Sequence, residues 1–443
     1  MSTPPSQAEI PSESVPSEPD APPEGSVDAT GSAAVTELTA GSFREYARAF
    51  GKRVRAGESG ALPVVIGLAI IVAIFQSQNS KFLSTGNLTN LIGQSGVFVV
   101  LGMAEVFVLL LGEIDLSVGY VGAVGATVTA QLATDPHNVN WFVACLAGLA
   151  VCAVIGLVQG LLITRLGLPS FVVTLAGLLG FQGLLLYIIQ HDKAATGGTI
   201  SVTNHVLNDI INGSLSTTAG WIILVLVVAA YGVFSFLQNQ RRRSSGLVTA
   251  PIALVVLKVG AAAVAGVVLV LVCNANRGLG LTVLKGVPWI VPILLVVLVV
   301  YSVLLGRTRF GRYLYAIGGN AEAARRAGVS LKTIRLLAFV LCSVTSGLGG
   351  IVYLSQLGSI SSNVQGGNLV LFAIASAVIG GTSLFGGKGK MIHALLGGLI
   401  IAAVYNGMGL IGLSAAVQFM VTALVLLAAV TVDALSHRGR TGT

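Results

Sequence analysis

The chain has 443 residues, of which 54% are hydrophobic and 9% charged, and its mean hydropathy is +0.89. Soluble domains carry about 25% charged residues, so this composition excludes a soluble globular protein and leaves a membrane-embedded one. The formal charge of +8 does not point to nucleic acid, because the basic residues flank apolar runs instead of forming one tract.

Residues 1–42 hold seven of the 13 prolines and seven acidic residues, with no Lys or Arg before Arg44. They read as a disordered, acidic, Pro/Ser-rich cytoplasmic tail. A basic juxtamembrane segment follows at 43–59, where Phe43, Tyr46 and Phe50 recur at helical spacing among five Lys and Arg side chains. It is either an interfacial helix on an anionic leaflet or a flank that orients the first span. The transmembrane domain runs over 60–435, and 436–443 is a short cytoplasmic tail.

A bilayer core about 30 Å thick takes about 20 apolar residues per helix. Continuous apolar runs, as opposed to alternating ones, select helices over a barrel. Spans are predicted near 61–76, 91–111, 117–133, 141–164, 168–190, 219–237, 248–272, 288–305, 334–354, 369–385, 391–409 and 414–432. The fold class is therefore an all-α polytopic membrane protein of about 12 (10–12) transmembrane helices with both termini cytoplasmic. In this arrangement 20 of the 25 basic residues fall on the cytoplasmic side, four fall outside, and Lys258 lies within a span. The stretch 112–133 is open between a full span and a broken or re-entrant helix, the latter tolerated only under a protein or water cover.

The polar loop 306–333 carries Glu322, the one carboxylate between Asp209 and Asp433, among six basic residues, with Arg335 just beyond. It reads as a docking element on the cytoplasmic face. Its sequence spells a short helix: Asn320 caps the start, Glu322 lies in the first turn, Arg325 and Arg326 in the last, and Gly328 supplies a left-handed stop. Glu113 and Asp115 interrupt an apolar region in GEIDLSVG, Gly112 to Gly119, where either Asp115 or Ser117 caps the next helix or an acid serves a proton or substrate site. Glu105 and Lys258 lie inside spans and should face protein, water or each other. GGTSLFGGKG, Gly380 to Gly389, only superficially looks like a phosphate loop, because the spacing and the magnesium ligand are missing. No HExxH or GxSxG occurs, and the four cysteines lack metal-ligand spacing. No catalytic residue, bound cofactor or metal ligand is assigned to this chain, which is expected not to be an enzyme.

GEIDLSVG at 112–119, GRYLYAIGGNAEAARRAGV at 311–329 and AVIGGTSLFGGKG at 377–389 together resemble the permease subunits of bacterial monosaccharide ABC importers, the ribose, xylose and galactose group. Extra apolar sequence between Arg243 and Pro288 looks more like the xylose-type branch. The resemblance implies import of a monosaccharide, such as the pentose xylose, across the bacterial cell membrane. It also implies a homodimer, a separate ABC ATPase that holds ATP and magnesium, and an extracytoplasmic sugar-binding protein. Glu322, Ala323, Ala324 and Gly328 match the family's ATPase-coupling loop, to which Asn320, Arg325 and Arg326 contribute the cap and the last turn. Glu113 departs from the family where many relatives have glycine, and Val370, Leu371 and Phe372 replace an acidic pattern. A sugar pathway needs neutral hydrogen-bonding groups and aromatic surface, for which Gln94, Glu105, Asp115, Tyr120, Gln182, Asn363 and Asn406 are candidates, as are Gln131, Gln159, Gln356 and Gln418. Polar residues in membrane helices are more often glue between helices than substrate contacts. The alternative is a proton-coupled secondary transporter using Glu105, Glu113 or Asp115.

Overall fold

A computed structural model of the protein describes residues 62–245, 251–278 and 283–441. The expectations for the tail at 1–42 and the basic segment at 43–59 lie outside the described residues. The apolar runs fold as α1 (Leu62–Gln78), α2 (Thr85–Leu109), α3 (Val118–Ala133), α4 (Trp141–Arg165) and α5 (Ser170–His191). After β1 (Thr199–Ser201) and α6 (His205–Asn212) come α7 (Thr217–Ser244), α8 (Ile252–Asn274) and α9 (Ile290–Arg307). Two short helices, α10 (Arg309–Gly319) and α11 (Ala321–Arg326), lead into α12 (Leu331–Leu357). The chain ends with β2 (Ser359–Ser361), α13 (Gly366–Ile379), α14 (Met391–Leu410) and α15 (Ala415–Thr441).

Each predicted apolar run lies in a helix, and eight helices among the described residues are long and apolar enough to cross a bilayer. Of the remaining apolar helices, α1, α3 and α13 are shorter, while α15 runs for 27 residues. α3 has 16 residues, about 24 Å of rise, against a hydrocarbon core of about 30 Å. It is buried along nearly its whole length and packs on α4, α5, α12 and α13. The open alternative at 112–133 thus resolves into a turn followed by a short central helix covered by protein, the condition under which incomplete spans are tolerated. Glycine, alanine and threonine fill its sequence, which lets neighbouring backbones approach. α2, apolar around its circumference and buried over most of its length, forms the middle of the bundle against α12, α13 and α14.

Two boundaries differ from expectation. The run predicted to 385 stops at Ile379, because Gly380 and Gly381 turn the chain and Gly381 adopts φ +111°. The last helix continues to Thr441, taking in most of the predicted tail. Lys258 is exposed and stands six residues after Ile252, about 9 Å along α8, where it can snorkel and does not meet the buried Glu105.

The links between helices gather at two opposite ends. At one end Asn79 Nδ2 donates to Leu410 O (3.0 Å), Arg277 Nη1 to Thr89 Oγ1 (3.1 Å), and Ser355 Oγ to Asn208 O (3.0 Å). There β1 and β2 pair antiparallel, with Ile200 opposite Ile360. At the other end the link after α2 meets the link after α13, since Gly387 N donates to Leu110 O at 2.9 Å. These groupings are the alternation expected of successive crossings.

Candidate functional site

At the basic end, α11 has the caps its sequence spells. Asn320 Oδ1 accepts from Ala323 N at 2.9 Å. Gly328, at φ +82°, closes the helix with its N–H on Arg325 O (3.0 Å), and Val329 N donates to Ala324 O (3.0 Å). That pair of bonds satisfies carbonyls the last turn leaves free. Glu322 Oε2 accepts from Arg325 Nε (2.9 Å) while its Oε1 accepts from Arg325 Nη2 (2.8 Å) and Arg326 Nε (3.1 Å). Arg325 first, then Arg326, holds the Glu322 carboxyl below the usual carboxylate range. All three side chains are exposed, whereas Ala324 is buried and seats the helix.

Sequence reasoning missed α10 and the contact beneath it. A Cβ on Gly318 would lie 1.8 Å from Leu110 O and 2.5 Å from Gly387 N, so the three backbones touch only because position 318 has no side chain. Tyr315 donates its hydroxyl to Gly389 O at 2.6 Å, tying the same segments. The three motifs quoted above, starting at Gly112, Gly311 and Ala377, therefore converge in one glycine knot under α11. The link between α2 and α3 is held a second time by an ion pair of Glu113 with Arg335 near the start of α12. Next to it, Asp115 Oδ1 accepts from Ser117 N (2.9 Å) and Ser117 Oγ (2.6 Å), and Gln159 Nε2 donates to Ser117 Oγ (2.8 Å). Asp115 thus fixes the turn into α3, while the Ser117 hydroxyl makes no cap bond. Glu105 is fully buried in α2, and neither of its carboxylate oxygens has a hydrogen-bond partner among the described residues.

At the opposite end, the structure brings together three of the candidate pathway residues. Tyr120, Gln182 and Asn363 line an open cavity of about 490 Å³ with Ser362, Gln365 and Asn368. Asn363, Gln365 and Asn368 also border a second cavity of about 370 Å³, which adds Gln356, Gln418 and the rings of Phe98, Tyr353, Phe372, Tyr405 and Phe419. Phe98, Phe372 and Tyr405 pack edge to face with centroids 5.1–5.9 Å apart. Among the described residues no charged side chain lines either cavity. Gln365 and Asn368 were missed, although the polar run QGGN at the start of α13 was a signal for them.

Gln94 and Asn406 do not line these cavities. Asn406 Nδ2 donates to Gln94 Oε1 (3.3 Å) and its Oδ1 accepts from Asn87 Nδ2 (2.8 Å), an amide ladder joining α2 to α14. Glu105 and Asp115 sit apart as well, near the glycine knot. Among the described residues no cluster of His, Cys, Asp and Glu could hold a metal ion.

The family described as "Branched-chain amino acid transport system / permease component" matches residues 87–430. The chain is 33% identical over 386 residues to the xylose transport system permease protein of Escherichia coli (strain K12), covering 85% of this chain and 93% of that protein. It is 32% identical over 372 residues to the D-allose transport system permease protein of the same strain, covering 83% and 90%. The ribose import permease protein of that strain is 29% identical over 369 residues, covering 83% and 92%. No solved structure matches the chain. With a bundle of membrane-length helices, a capped helix on a glycine knot, and these likenesses along most of its length, the chain belongs to this family of transport-system permease components.

Proposed function

We propose that this chain is the pathway subunit of an ATP-driven sugar importer, passing a monosaccharide, with a pentose such as xylose as the first candidate. The observation that carries the reading is the uncharged character of the cavities at the end remote from α11. The family's description names branched-chain amino acids, whose ammonium and carboxylate groups call for charged partners. Amides and aromatic rings instead suit a neutral polyol, hydrogen-bonding its hydroxyls and covering its C–H faces. The named sugar permeases among the relatives support the same substrate class.

The basic end is the cytoplasmic one, by the excess of Lys and Arg there. Two copies of the chain would form the conduit. A separate ABC ATPase, carrying ATP and magnesium, would dock on α11, and a sugar-binding protein would deliver substrate at the opposite end. Glu322, Arg325 and Arg326 present charge to the ATPase, Ala323 and Ala324 form the helix body, and Asn320 and Gly328 fix its ends. Movement of α11 reaches α2, α3, α13 and α14 through the glycine knot, because backbone-to-backbone contact leaves no side chain to absorb the displacement.

The proton-coupled alternative is weaker. Glu113 is engaged by Arg335 and Asp115 by Ser117, which leaves Glu105 as the one of the three with no side-chain partner among the described residues. Uptake in vesicles holding the chain with its ATPase and binding protein separates the two. ATP-dependent xylose accumulation with the proton gradient collapsed is expected; accumulation driven by the gradient without ATP would reject the proposal. A Glu322→Arg variant should insert normally, keep its melting temperature, and lose both uptake and ATPase association.

A further inference from the structure

Between the last turns of α7 and α9 lies a cavity of about 340 Å³ lined by Phe234, Leu237, Arg241, Arg242, Ser245 and Arg307, together with Gln238. Among the described residues its charge is unbalanced. The sequence has no carboxylate between Asp209 and Glu322, and Glu322 is engaged by Arg325 and Arg326. Arg241, Arg242 and Arg307 make no side-chain hydrogen bond or ion pair with any described residue, although Arg307 rests its guanidinium over the Phe234 ring at 5.0 Å. Arg277 at the other end shows what a satisfied arginine looks like here. Its guanidinium donates to Thr89 Oγ1, Cys273 O, Gly286 O and Ser214 Oγ at 2.6–3.4 Å.

We infer that this cavity is a binding site for an anionic phospholipid of the leaflet at the basic end. Three guanidinium forks converge on one small space, a donor set matched to a phosphodiester. Phe234 and Leu237, both about half exposed, stand on the same helix between the arginines and the membrane interior, where acyl chains continue from a headgroup. That apolar continuation selects a lipid over a free phosphate ion. Lys258 on α8 lies near the depth of Phe234, since a Cβ on Gly232 of α7 would meet the Val259 side chain at 3.6 Å, and it adds a further cation beside α7. An occupied site bridges α7 to α9 one residue before Thr308, whose hydroxyl caps α10 by accepting from Gly311 N at 3.2 Å. The bound lipid thus sits at the root of the arm that carries α11.

The test uses the full chain in mixed micelles containing dioleoyl phosphatidylglycerol or dioleoyl phosphatidylcholine, and reads lipid retained per protein by native mass spectrometry with the melting temperature beside it. Phosphatidylglycerol should be retained and should raise the melting temperature, phosphatidylcholine should do neither, and added inorganic phosphate should not displace the lipid. Each arginine near an anionic surface contributes roughly fivefold, so Arg241→Gln with Arg242→Gln and Arg307→Gln should weaken phosphatidylglycerol binding by about 100-fold. Should that triple variant not fold, Arg242→Gln alone, which breaks no side-chain hydrogen bond or ion pair with any described residue, should weaken it about fivefold. Equal retention of the two lipids, displacement by phosphate alone, or unchanged retention in the folded variants would overturn the inference. So would a loss of melting temperature that is the same with and without phosphatidylglycerol, because the arginines would then serve only the helix ends.

Discussion

The two ends of the bundle are built from different materials. At the basic end the segments meet backbone to backbone, as Gly318 does with Leu110 and Gly387, and a capped six-residue helix is fixed on top. At the opposite end the chain leaves open space lined by amides and rings, with Asn363, Gln365 and Asn368 shared between two cavities. Contact without side chains has no rotamers to spend, so it transmits displacement; amides and aromatic rings adapt to a ligand by small rotations. The knot under α11 and the cavities lie at different ends, although close backbone contact also occurs away from the knot, where a Cβ on Gly286 would lie 1.8 Å from Leu215 O; on the proposed function, single substitutions should affect one end without the other.

The largest effect is expected at the knot. Gly318→Val places a branched side chain where even a Cβ falls 1.8 Å from Leu110 O, and backbone must shift to admit it. A loss of more than about 3 kcal/mol is expected, enough to collapse the melting transition in detergent and abolish uptake. Gly319→Ala, one residue on, meets no atom within 4 Å and sits at the end of α10, so its melting temperature should be unchanged or slightly raised. If both variants behaved alike, the end would owe its stiffness to something other than the close approach at 318.

Next comes the tie between α12 and the link after α2. Arg335→Met strands Glu113, which is 7% exposed, without a cation. A fully buried pair broken this way costs about 3–5 kcal/mol, and the partial exposure of Arg335 lowers the expectation to about 1–3 kcal/mol. Melting temperature checks the cost. Restoration by the double change Arg335→Met with Glu113→Gln would show that the penalty is the stranded charge and not lost packing.

How much of this could be read from the sequence follows from the range of the interactions. The caps of α11 were legible because Asn320 and Gly328 act on backbone groups three or four residues away. The knot was not, since Tyr315 and Gly389 are 74 positions apart and a glycine gives no sign of what it touches. Tyr120, Gln182 and Asn363 were picked as neutral hydrogen-bonding groups suited to a sugar and do share a cavity. Gln94 and Asn406 satisfied the same rule yet bond to each other, since an amide inside a bundle serves a neighbouring helix as readily as a ligand. Phe98, Phe372 and Tyr405 gave no signal, as rings on three separate helices look like core until the helices are assembled.

At the recognition end the effects should be moderate and confined to substrate. Tyr405→Ala removes one ring of the edge-to-face trio, and Asn363→Ala removes an amide common to both cavities. An aromatic contact or a neutral hydrogen bond is worth about 1 kcal/mol, so each variant should raise the half-saturating xylose concentration for uptake by roughly fivefold. ATPase association should not change. A variant here that released the ATPase while still taking up sugar would contradict the division between the ends.

The smallest effect concerns the charge pattern of α11 itself. Glu322 is held below the ordinary carboxylate range by Arg325 and Arg326, so the folded helix keeps its carboxylate ionised further into acid than the unfolded chain does. The favourable contribution is therefore complete above the ordinary glutamate value of about 4.3 and is lost only as pH falls through the lowered value in the fold. Because all three side chains are exposed, salt should screen the contribution and its size should be slight. Hydrogen-exchange protection of the Ala327 and Gly328 amides, which close α11, reports it directly. Protection should be flat from pH 7 to about 5 in the native chain, slightly lower and equally flat in Glu322→Gln, and the two should converge at high salt. A large drop in Glu322→Gln, insensitive to salt, would mean that the carboxylate holds the helix together rather than facing a partner, and the docking role would pass to the arginines alone.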